Sequence, residues 1–220
     1  MQIVWTGHAC FVLTVSRPKQ EPLRIVIDPY EESIGLKTPA LQAELVLSTH
    51  GHYDHNNVKA VKGDPFAITG PGEYDVQGVF VQGIASFHDQ SEGKERGTNT
   101  IYIMEAEGMR LCHMGDFGQK ELSAEQEEKI GEVDILFLPV GGVYTVDSKE
   151  ASDLVHRIEP KIVIPMHYAL PKLTVKLASV DEFLKIMGAK KTEPQPKLVV
   201  KAKDIAGERE ESEIVVLEIG

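Results

Sequence analysis

The stretch Thr49-His50-Gly51-His52-Tyr53-Asp54-His55-Asn56 carries three histidines and one aspartate within six consecutive positions. Imidazole nitrogens and carboxylate oxygens are the ligands that zinc and similar divalent metals prefer. The stretch follows an apolar run at 43–48, which predicts a buried strand, and precedes residues 56–61, which predict the start of a helix. A histidine-rich surface loop is the alternative, but the chain has only eight histidines. The stretch therefore predicts a metal site in a loop at a strand end.

The spacing His-x-His-x-Asp-His in this stretch resembles the signature of the metallo-β-lactamase superfamily of metal-dependent hydrolases. That family also has a third histidine after a strand, an aspartate after a Gly-Asp step, and a late histidine. His88, Asp116 and His167 occupy these places in the same order, each at the end of a strand-like run. The motifs span residues 50–167, and the resemblance in fold covers most of the chain.

The resemblance implies that seven side chains hold two divalent metal ions. They are His50, His52 and His88 for one ion, Asp54, His55 and His167 for the other, and Asp116 as the bridge. Two ions about 3.5–4 Å apart can share a hydroxide that attacks an ester, lactone, phosphoester or amide. Asp54 and Asp116 are thus the candidate catalytic carboxylates, and Asp54 could also accept a proton. Zinc suits the ligand set best, and Mn²⁺, Fe²⁺ and Ni²⁺ accept the same ligands.

Two further histidines lie close to these motifs in sequence. His113, three residues before Asp116, competes with His88 for the place of the third histidine. The third histidine of the family follows an earlier strand, which favours His88. His8 belongs to a Gly-His step that resembles one near the N-terminus of many smaller members of the superfamily. The resemblance implies that His8 lies close to the metals without being a ligand, and a purely structural, hydrogen-bonded role is an equal alternative.

Asp28 closes the strongly apolar strand at 23–28 and precedes a proline. An Asp-Pro step favours a turn. Alternatively, the carboxylate accepts a hydrogen bond from a metal-ligating imidazole and fixes its orientation. The sequence leaves both interpretations open.

Two loops are candidates for contact with the substrate. The segment 89–97 directly follows His88, its glycines allow motion, and Lys94 or Arg96 could contact an anionic small molecule such as a phosphate. A solvated loop without such a role is the alternative. In the segment 141–145, Tyr144 could line the site. The short chain is similar to small metal-dependent hydrolases related to L-ascorbate-6-phosphate lactonase, which implies lactone, phosphoester or amide substrates without choosing among them.

Other functions on the same fold make different demands on the motif. The di-iron, flavin-linked members replace the second histidine with glutamate, whereas His52 is a histidine here. A mononuclear iron dioxygenase keeps the first motif, and the complete second set, which includes His167, argues against it. A non-catalytic metal-binding protein is the third alternative, and the intact ligand set favours an enzyme.

Composition is typical of a single folded domain, which we predict to span residues 1–220. With 23 basic and 34 acidic residues, the net charge of −11 disfavours nucleic acid and anionic lipid as partners. The sequence has no apolar run long enough to span a membrane and no signal-peptide pattern at its start, so we expect a cytoplasmic location. Cys10 and Cys112 are isolated, which predicts buried thiols. The oligomeric state stays open, a homo-oligomer included.

The pattern of strands and helices predicts an α+β fold, an αββα four-layer sandwich of two sheets between outer helices. Predicted strands lie at 2–6, 9–15, 23–28, 44–48, 66–69, 78–86, 99–105, 109–114, 134–139, 161–165 and near the C-terminus. Capping signals at Ser123, Asp147 and Ser179 predict three helix starts, and Gly188 suits the end of the third helix.

Overall fold

Two mixed β-sheets form the centre of the computed structural model, which describes residues 1–189, 192–207 and 211–220. The strands of the first sheet are β1 (Gln2–Gly7), β2 (Cys10–Val15), β3 (Leu23–Ile27), β4 (Leu45–Leu47), β5 (Phe66–Ile68) and β12 (Leu198–Val199). Those of the second are β6 (Gly72–Val76), β7 (Val79–Phe87), β8 (Thr98–Ala106), β9 (Met109–His113), β10 (Ile135–Pro139), β11 (Ile162–Met166) and β13 (Glu213–Ile214).

Strand direction brings several strand ends to one edge of each sheet. The first sheet has the order β12-β1-β2-β3-β4-β5, in which β3, β4 and β5 are parallel. The second has the order β13-β11-β10-β9-β8-β7-β6, in which β9, β10, β11 and β13 are parallel. The loops that follow β3, β4, β9 and β11 therefore leave from carboxyl ends, where functional loops collect on a rigid scaffold.

Alternation along the strands of the first sheet divides their side chains between two hydrophobic clusters. Ile25 and Ile27 face the large cluster that includes the second sheet. Val26, between them, faces a smaller cluster on the outer side of the first sheet. That outer side is covered by loops and two 3₁₀ turns, Glu32–Ile34 and Val58–Ala60.

The three α-helices begin at the predicted capping residues. They are α1 (Ala124–Ile130), α2 (Ser148–Ile158) and α3 (Val180–Ile186). Ser123 and Asp147 each form a capping box, and the Ser179 side chain accepts a hydrogen bond from the Asp181 N–H. Buried residues of all three helices belong to the large cluster that contains the second sheet.

The α+β sandwich predicted from the sequence is confirmed, and the ten predicted strands before residue 166 lie within two residues of observed ones. Two local predictions differ from the structure. The helix expected from residue 56 is only the 3₁₀ turn Val58–Ala60, and strands β6 and β12 were not predicted. Within the described parts of the chain, no helix is long and apolar enough to cross a membrane.

Candidate metal centre

The seven predicted ligands lie together at strand ends contributed by both sheets. His50, His52, Asp54 and His55 follow β4, His88 follows β7, Asp116 follows β9, and His167 follows β11. Residues more than 100 positions apart in the chain thus meet in one place. His8 and Asp28, which follow β1 and β3, join the same region.

The first group consists of His50, His52 and His88, each of which offers one ligand atom within 4.8 Å of the others. The ring centroids are 4.6 Å apart for His50 and His52 and 4.9 Å apart for His50 and His88. His50 and His88 are buried, whereas His52 is exposed on the open side. This spacing fits three nitrogens around one ion.

The second group consists of Asp54, His55, His167 and, in addition, His8, again within 4.8 Å of one another. Nε2 of His8 lies 3.2 Å from Oδ2 of Asp54, and its ring centroid is 4.2 Å from that of His167. The main-chain carbonyl of His8 also accepts the N–H of His167 at 3.0 Å. His8 therefore holds both Asp54 and the backbone at His167.

Asp116 lies between the two groups and faces both. Its Oδ2 is 3.1 Å from Nε2 of His88 in the first group and 3.2 Å from Nε2 of His167 in the second. Its Oδ1 is 3.3 Å from Nε2 of His55. A carboxylate in this position can contact ions held by either group.

Six buried ligand-type atoms of this cluster of side chains make no hydrogen bond within the described part of the chain, although Nε2 of His55 and Oδ1 of Asp116 lie within ion-pair distance of each other. They are Nδ1 of His8, Nε2 of His50, Nε2 of His55, Nδ1 of His88, Oδ1 of Asp116 and Nδ1 of His167. Buried polar atoms are nearly always paired in native proteins, and each unpaired one is destabilising. Six such atoms in one place, all of types that bind divalent metals, fit a metal centre.

Electrostatics favour neutral imidazoles at His8 and His50 beside an ionised carboxylate at Asp116. Burial lowers the pKa of His50 to about 3 and that of His8 to about 4. Burial alone would raise the pKa of Asp116, but His167 and His55 outweigh it and hold that pKa well below the ordinary value. Neutral imidazole and carboxylate are the forms that bind metal ions.

His55 differs from His8 and His50 in the direction of its pKa shift. Burial alone would lower its pKa, but the carboxylates of Asp116 and Asp28 outweigh burial and raise it well above the ordinary value. A metal ion at Nε2 of His55 must therefore displace a proton, and metal binding should release protons to the solvent.

Asp28 orients one histidine of each group. Its Oδ2 accepts a hydrogen bond from Nδ1 of His55 at 2.9 Å and another from Oγ1 of Thr49 at 2.8 Å. The Thr49 hydroxyl, having donated its only hydrogen to Asp28, can only accept from Nδ1 of His50, 3.0 Å away. Both histidines thereby keep a proton on Nδ1, which leaves Nε2 as the ring nitrogen that can bind a metal. These contacts are the ones expected of the outer acceptor, and that role stays a prediction because it depends on metal binding by His55.

Three residues of the site have left-handed backbones, as do eight other non-glycine residues of the described chain. His8, Asp28 and His167 adopt φ values of 55°, 47° and 52°, in the left-handed region that non-glycine residues seldom occupy. Such conformations persist where the surrounding contacts enforce them, and they cluster at functional sites.

His113 is buried near the cluster but belongs to neither group of ligands. Its Nδ1 accepts the N–H of Gly115 at 3.1 Å, and its Nε2 donates to the carbonyl of Ala9 at 3.1 Å. Both ring nitrogens of His113 are thus hydrogen-bonded to main-chain groups. His88, not His113, belongs to a group of side chains spaced for a metal.

Sequence reasoning missed two side chains that position the site, Thr49 and Asn99. Asn99 accepts the N–H of Asp116 at 3.0 Å and donates to the carbonyl of Met114 at 2.9 Å, which fixes the turn that carries Asp116. Thr49 could have been suspected because it adjoins His50, whereas nothing local to Asn99 marks it.

Glycines allow the site loops to approach closely. A Cβ at Gly115 would lie 2.4 Å from Oδ1 of Asn99, one at Gly118 would lie 2.5 Å from the carbonyl carbon of His88, and one at Gly141 would lie 2.2 Å from the carbonyl oxygen of His167. Each distance is too short for a non-bonded contact, so these loops pack against the site only where a side chain is missing.

Replacing Gly141 with alanine should displace the backbone at His167, because the obstructing atoms are main-chain atoms that cannot rotate away. We expect the free energy of unfolding to fall by about 1–3 kcal/mol and metal binding to weaken. Thermal unfolding would show this as a Tm lower by roughly 2–4 °C per kcal/mol. Gly70→Ala is the matched control, since a Cβ there meets nothing within 4 Å. A Gly141→Ala protein with the wild-type Tm would refute the close packing.

A cleft of about 380 Å³ opens onto the cluster. Besides residues of both ligand groups it is lined by Tyr53, Arg96, Tyr144, Thr174 and Val175. Arg96 and Tyr144, two of the three predicted substrate contacts, therefore lie on its wall. The third, Lys94, does not line it; the Lys94 side chain is 75% exposed and pairs with Glu92.

A larger groove of about 980 Å³ lies elsewhere, where Asp134 and Lys161 precede β10 and β11. Lys161 pairs with Asp134 at 2.8 Å, and Arg110 pairs with Glu105. Among the described residues, the groups of ligand-type side chains spaced for a metal all belong to the cluster, not to this groove. The smaller cleft is therefore the candidate site.

Residues 2–167 match the family described as the beta-lactamase superfamily domain. A metal-dependent hydrolase of Thermococcus onnurineus is 31% identical, and the match covers 86% of this chain and 93% of that protein. A crystal structure from Thermotoga maritima, described as a zinc-dependent hydrolase of the metallo-β-lactamase superfamily, is 35% identical, with a TM-score of 0.76 over 98% of this chain and 97% of that one. The metallo hydrolase Igni18 from Ignicoccus hospitalis shares the fold at 22% identity, with a TM-score of 0.64 over 91% of this chain and 99% of that one.

Proposed function

Because the chain belongs to the β-lactamase superfamily, we propose that it is a metal-dependent hydrolase of small molecules that works with two divalent ions in a single domain, residues 1–220. The resemblance drawn from the motif is confirmed at the level of the superfamily. The relation to L-ascorbate-6-phosphate lactonase and the cytoplasmic location stay predictions.

The proposed ligands follow the two groups described above. We assign one ion to His50, His52 and His88, the other to Asp54, His55 and His167, and the bridging position to Asp116. His8 lies within reach of the second ion, but its Nε2 is engaged with Asp54, so we assign it the role of holding that carboxylate. Zinc suits these nitrogen and oxygen ligands best, and manganese, iron and nickel fit the same set.

One observation carries the proposal: two groups of ligand-type side chains, each spaced for one ion, come from strand ends of both sheets, and the carboxylate of Asp116 faces both groups beside an open cleft. When bound, the ions would supply Lewis acidity and an activated water for hydrolysis of an ester, lactone, phosphoester or amide.

The side chains of the protein have distinct tasks in this scheme. Asp28 and Thr49 hold the tautomers of His50 and His55, as derived above. Asp54 faces the cleft, and its hydrogen bond with His8 helps to keep its pKa below the ordinary value against the effect of burial. It is therefore an ionised carboxylate, placed to accept a proton from the attacking water.

The first experiment measures metal per chain in protein purified without added metal, together with hydrolysis of chromogenic phosphodiesters, lactones and thioesters. We expect two ions per chain and at least one responsive class of substrate. Chelation should abolish hydrolysis, and Zn²⁺ or Mn²⁺ should restore it. His50→Ala should lose metal, whereas His156→Ala, which removes an exposed histidine of α2, should retain it.

Other outcomes of this experiment would point elsewhere. One iron per chain without hydrolysis would favour a mononuclear dioxygenase on the same fold. Two ions without hydrolysis of any class would favour a non-catalytic metal-binding protein. No metal and no activity would contradict the proposal itself.

A further inference from the structure

Arg96 stands at the wall of the cleft in a defined arrangement with Tyr144. Its guanidinium carbon lies 4.7 Å from the centroid of the Tyr144 ring, within the range of a cation–π contact. Both side chains line the cleft that also contains His52, His88 and Asp116. The planar cation is thus stacked on an aromatic face beside the candidate metal centre.

The guanidinium of Arg96 differs from those of the other arginines in the described ranges, which omit Arg209. Arg17, Arg24, Arg110 and Arg157 each donate to a carboxylate, amide or carbonyl oxygen. For the Arg96 side chain the structure has only the contact with Tyr144. Five N–H donors in a fixed fork, with no acceptor among the described residues, suit a carboxylate or phosphate from outside.

The loop that carries Arg96 is held rigidly next to His88. The carboxylate of Asp89 accepts backbone N–H groups of Ser91, Gly93, Glu95 and Arg96 at 2.8–3.1 Å. The N–H of His88 donates to the carbonyl of Gly97 at 3.1 Å and closes the loop. The motion expected from its glycines is therefore restrained, and the position of Arg96 is tied to that of a proposed metal ligand.

The acidic side chains of the same loop are engaged with other partners. Glu95 accepts the hydroxyl of Ser91 at 2.8 Å, and Glu92 lies 3.6 Å from Lys94. In a chain with a net charge of −11, Arg96 is a local positive group that would act together with the charge of the bound ions. A cleft of about 380 Å³ restricts this attraction to small molecules.

We propose that Arg96, braced by Tyr144 and by the Asp89-bound loop, binds an anionic oxygen group, a carboxylate or a phosphate, on the part of the substrate that is not cleaved. The substrate class is then a small hydrolysable molecule with an anionic tail. This inference rests on the proposed function, because it places the scissile group at the metal centre and the tail at Arg96.

The test compares p-nitrophenyl esters of equal length on the metal-loaded protein. One is mono-p-nitrophenyl glutarate with its free carboxylate, the second is its neutral methyl ester, and the third ends in a phosphate. In Arg96→Gln we expect the ratio of kcat/KM for a charged ester to that for the neutral one to fall at least tenfold, about 1.4 kcal/mol. Arg96→Lys keeps the positive charge but lacks the planar fork of N–H donors. Its kcat/KM ratio should lie between those of the wild type and Arg96→Gln.

Lys94→Gln is the matched control, because it removes the same charge from the same loop at a side chain outside the cleft. It should keep the wild-type ratio. If the kcat/KM ratio of Arg96→Gln falls for only one of the two charged esters, that ester carries the anion that Arg96 binds. If the ratio falls for both, Arg96 accepts either a carboxylate or a phosphate. An unchanged ratio for both charged esters in Arg96→Gln would overturn the inference.

Calorimetry gives a readout that does not depend on turnover. Monomethyl glutarate and ethyl phosphate, titrated into the metal-loaded protein, should bind at least tenfold more weakly to Arg96→Gln than to Lys94→Gln for the anion that is recognised. Equal binding of both probes to the two variants would contradict the role of Arg96. If the wild-type protein hydrolysed none of these esters and no substrate class of the first experiment, the proposed function would fail, and the calorimetric comparison would still decide about Arg96.

Discussion

Replacing Asp116 with alanine should lower kcat/KM by about 10²–10³-fold or more, as expected when a group that stabilises developing charge is lost, and should also lower metal content. Asp116 contacts His88 of one ligand group and His55 and His167 of the other, all at 3.1–3.3 Å. Its loss removes the only side chain that, in the described structure, faces both groups with ion-pair contacts. Metal analysis and steady-state kinetics on the responsive substrate would measure both effects.

Asp116→Asn separates shape from charge in the same experiment. Asparagine keeps the size of the side chain, and Asn99 can still accept the backbone N–H of residue 116. The amide nitrogen, however, is a donor and cannot bind a cation. We therefore expect a loss close to that of alanine. Asp153→Asn, on the exposed face of α2, is the control for the charge change. A wild-type rate in either Asp116 variant would refute the assignment of Asp116 as the ligand shared by the two groups.

The strands of this protein were predictable because local patterns define them. The apolar run before His50 and that before Asp28 form β4 and β3 within one residue of the predicted ends. Strand β6 was not predicted because its sequence, Gly-Glu-Tyr-Asp-Val, is largely polar, as suits the exposed edge of the second sheet. The helix expected after the motif stops after one 3₁₀ turn, since Val61 is already extended and Gly63 has a φ of 102°.

The proposed ligands were also accessible from sequence, since each belongs to a short motif at a strand end. The residues that position them were harder to find, because their roles depend on contacts between distant segments. Asn99 acts on Asp116 from another strand, and Gly141 is constrained by the backbone of His167. The sequence around Asn99 or Gly141 does not indicate which distant residue each of them contacts. For Asp28 the sequence offered two interpretations, and the 2.9 Å contact with His55, which favours the outer acceptor, joins segments that are distant in sequence.

Asp28 should control both metal positions, since it fixes His55 directly and His50 through Thr49. Burial alone would raise the pKa of Asp28, but the adjacent His55 outweighs it and lowers that pKa, so the group is a carboxylate. In Asp28→Asn the side-chain oxygen can still accept the Thr49 N–H, but the amide nitrogen cannot accept from His55 or from the Thr49 hydroxyl. We expect about 10–100-fold weaker binding of each ion, the usual effect of losing an outer hydrogen-bond partner.

Competition with a chelator, with both zinc equivalents counted, measures this effect. Asparagine tolerates the left-handed backbone of residue 28, which has a φ of 47°, so the variant adds little strain. Thr49→Val removes only the hydrogen bonds that link Asp28 to His50, so it should weaken the binding of one ion. Asp28→Asn should weaken the binding of both ions. Weaker binding of only one ion in Asp28→Asn would refute the claim that Asp28 positions His50 through the Thr49 hydroxyl. Wild-type affinity for both ions would reduce Asp28 to a turn residue, the alternative that its proline neighbour suggests.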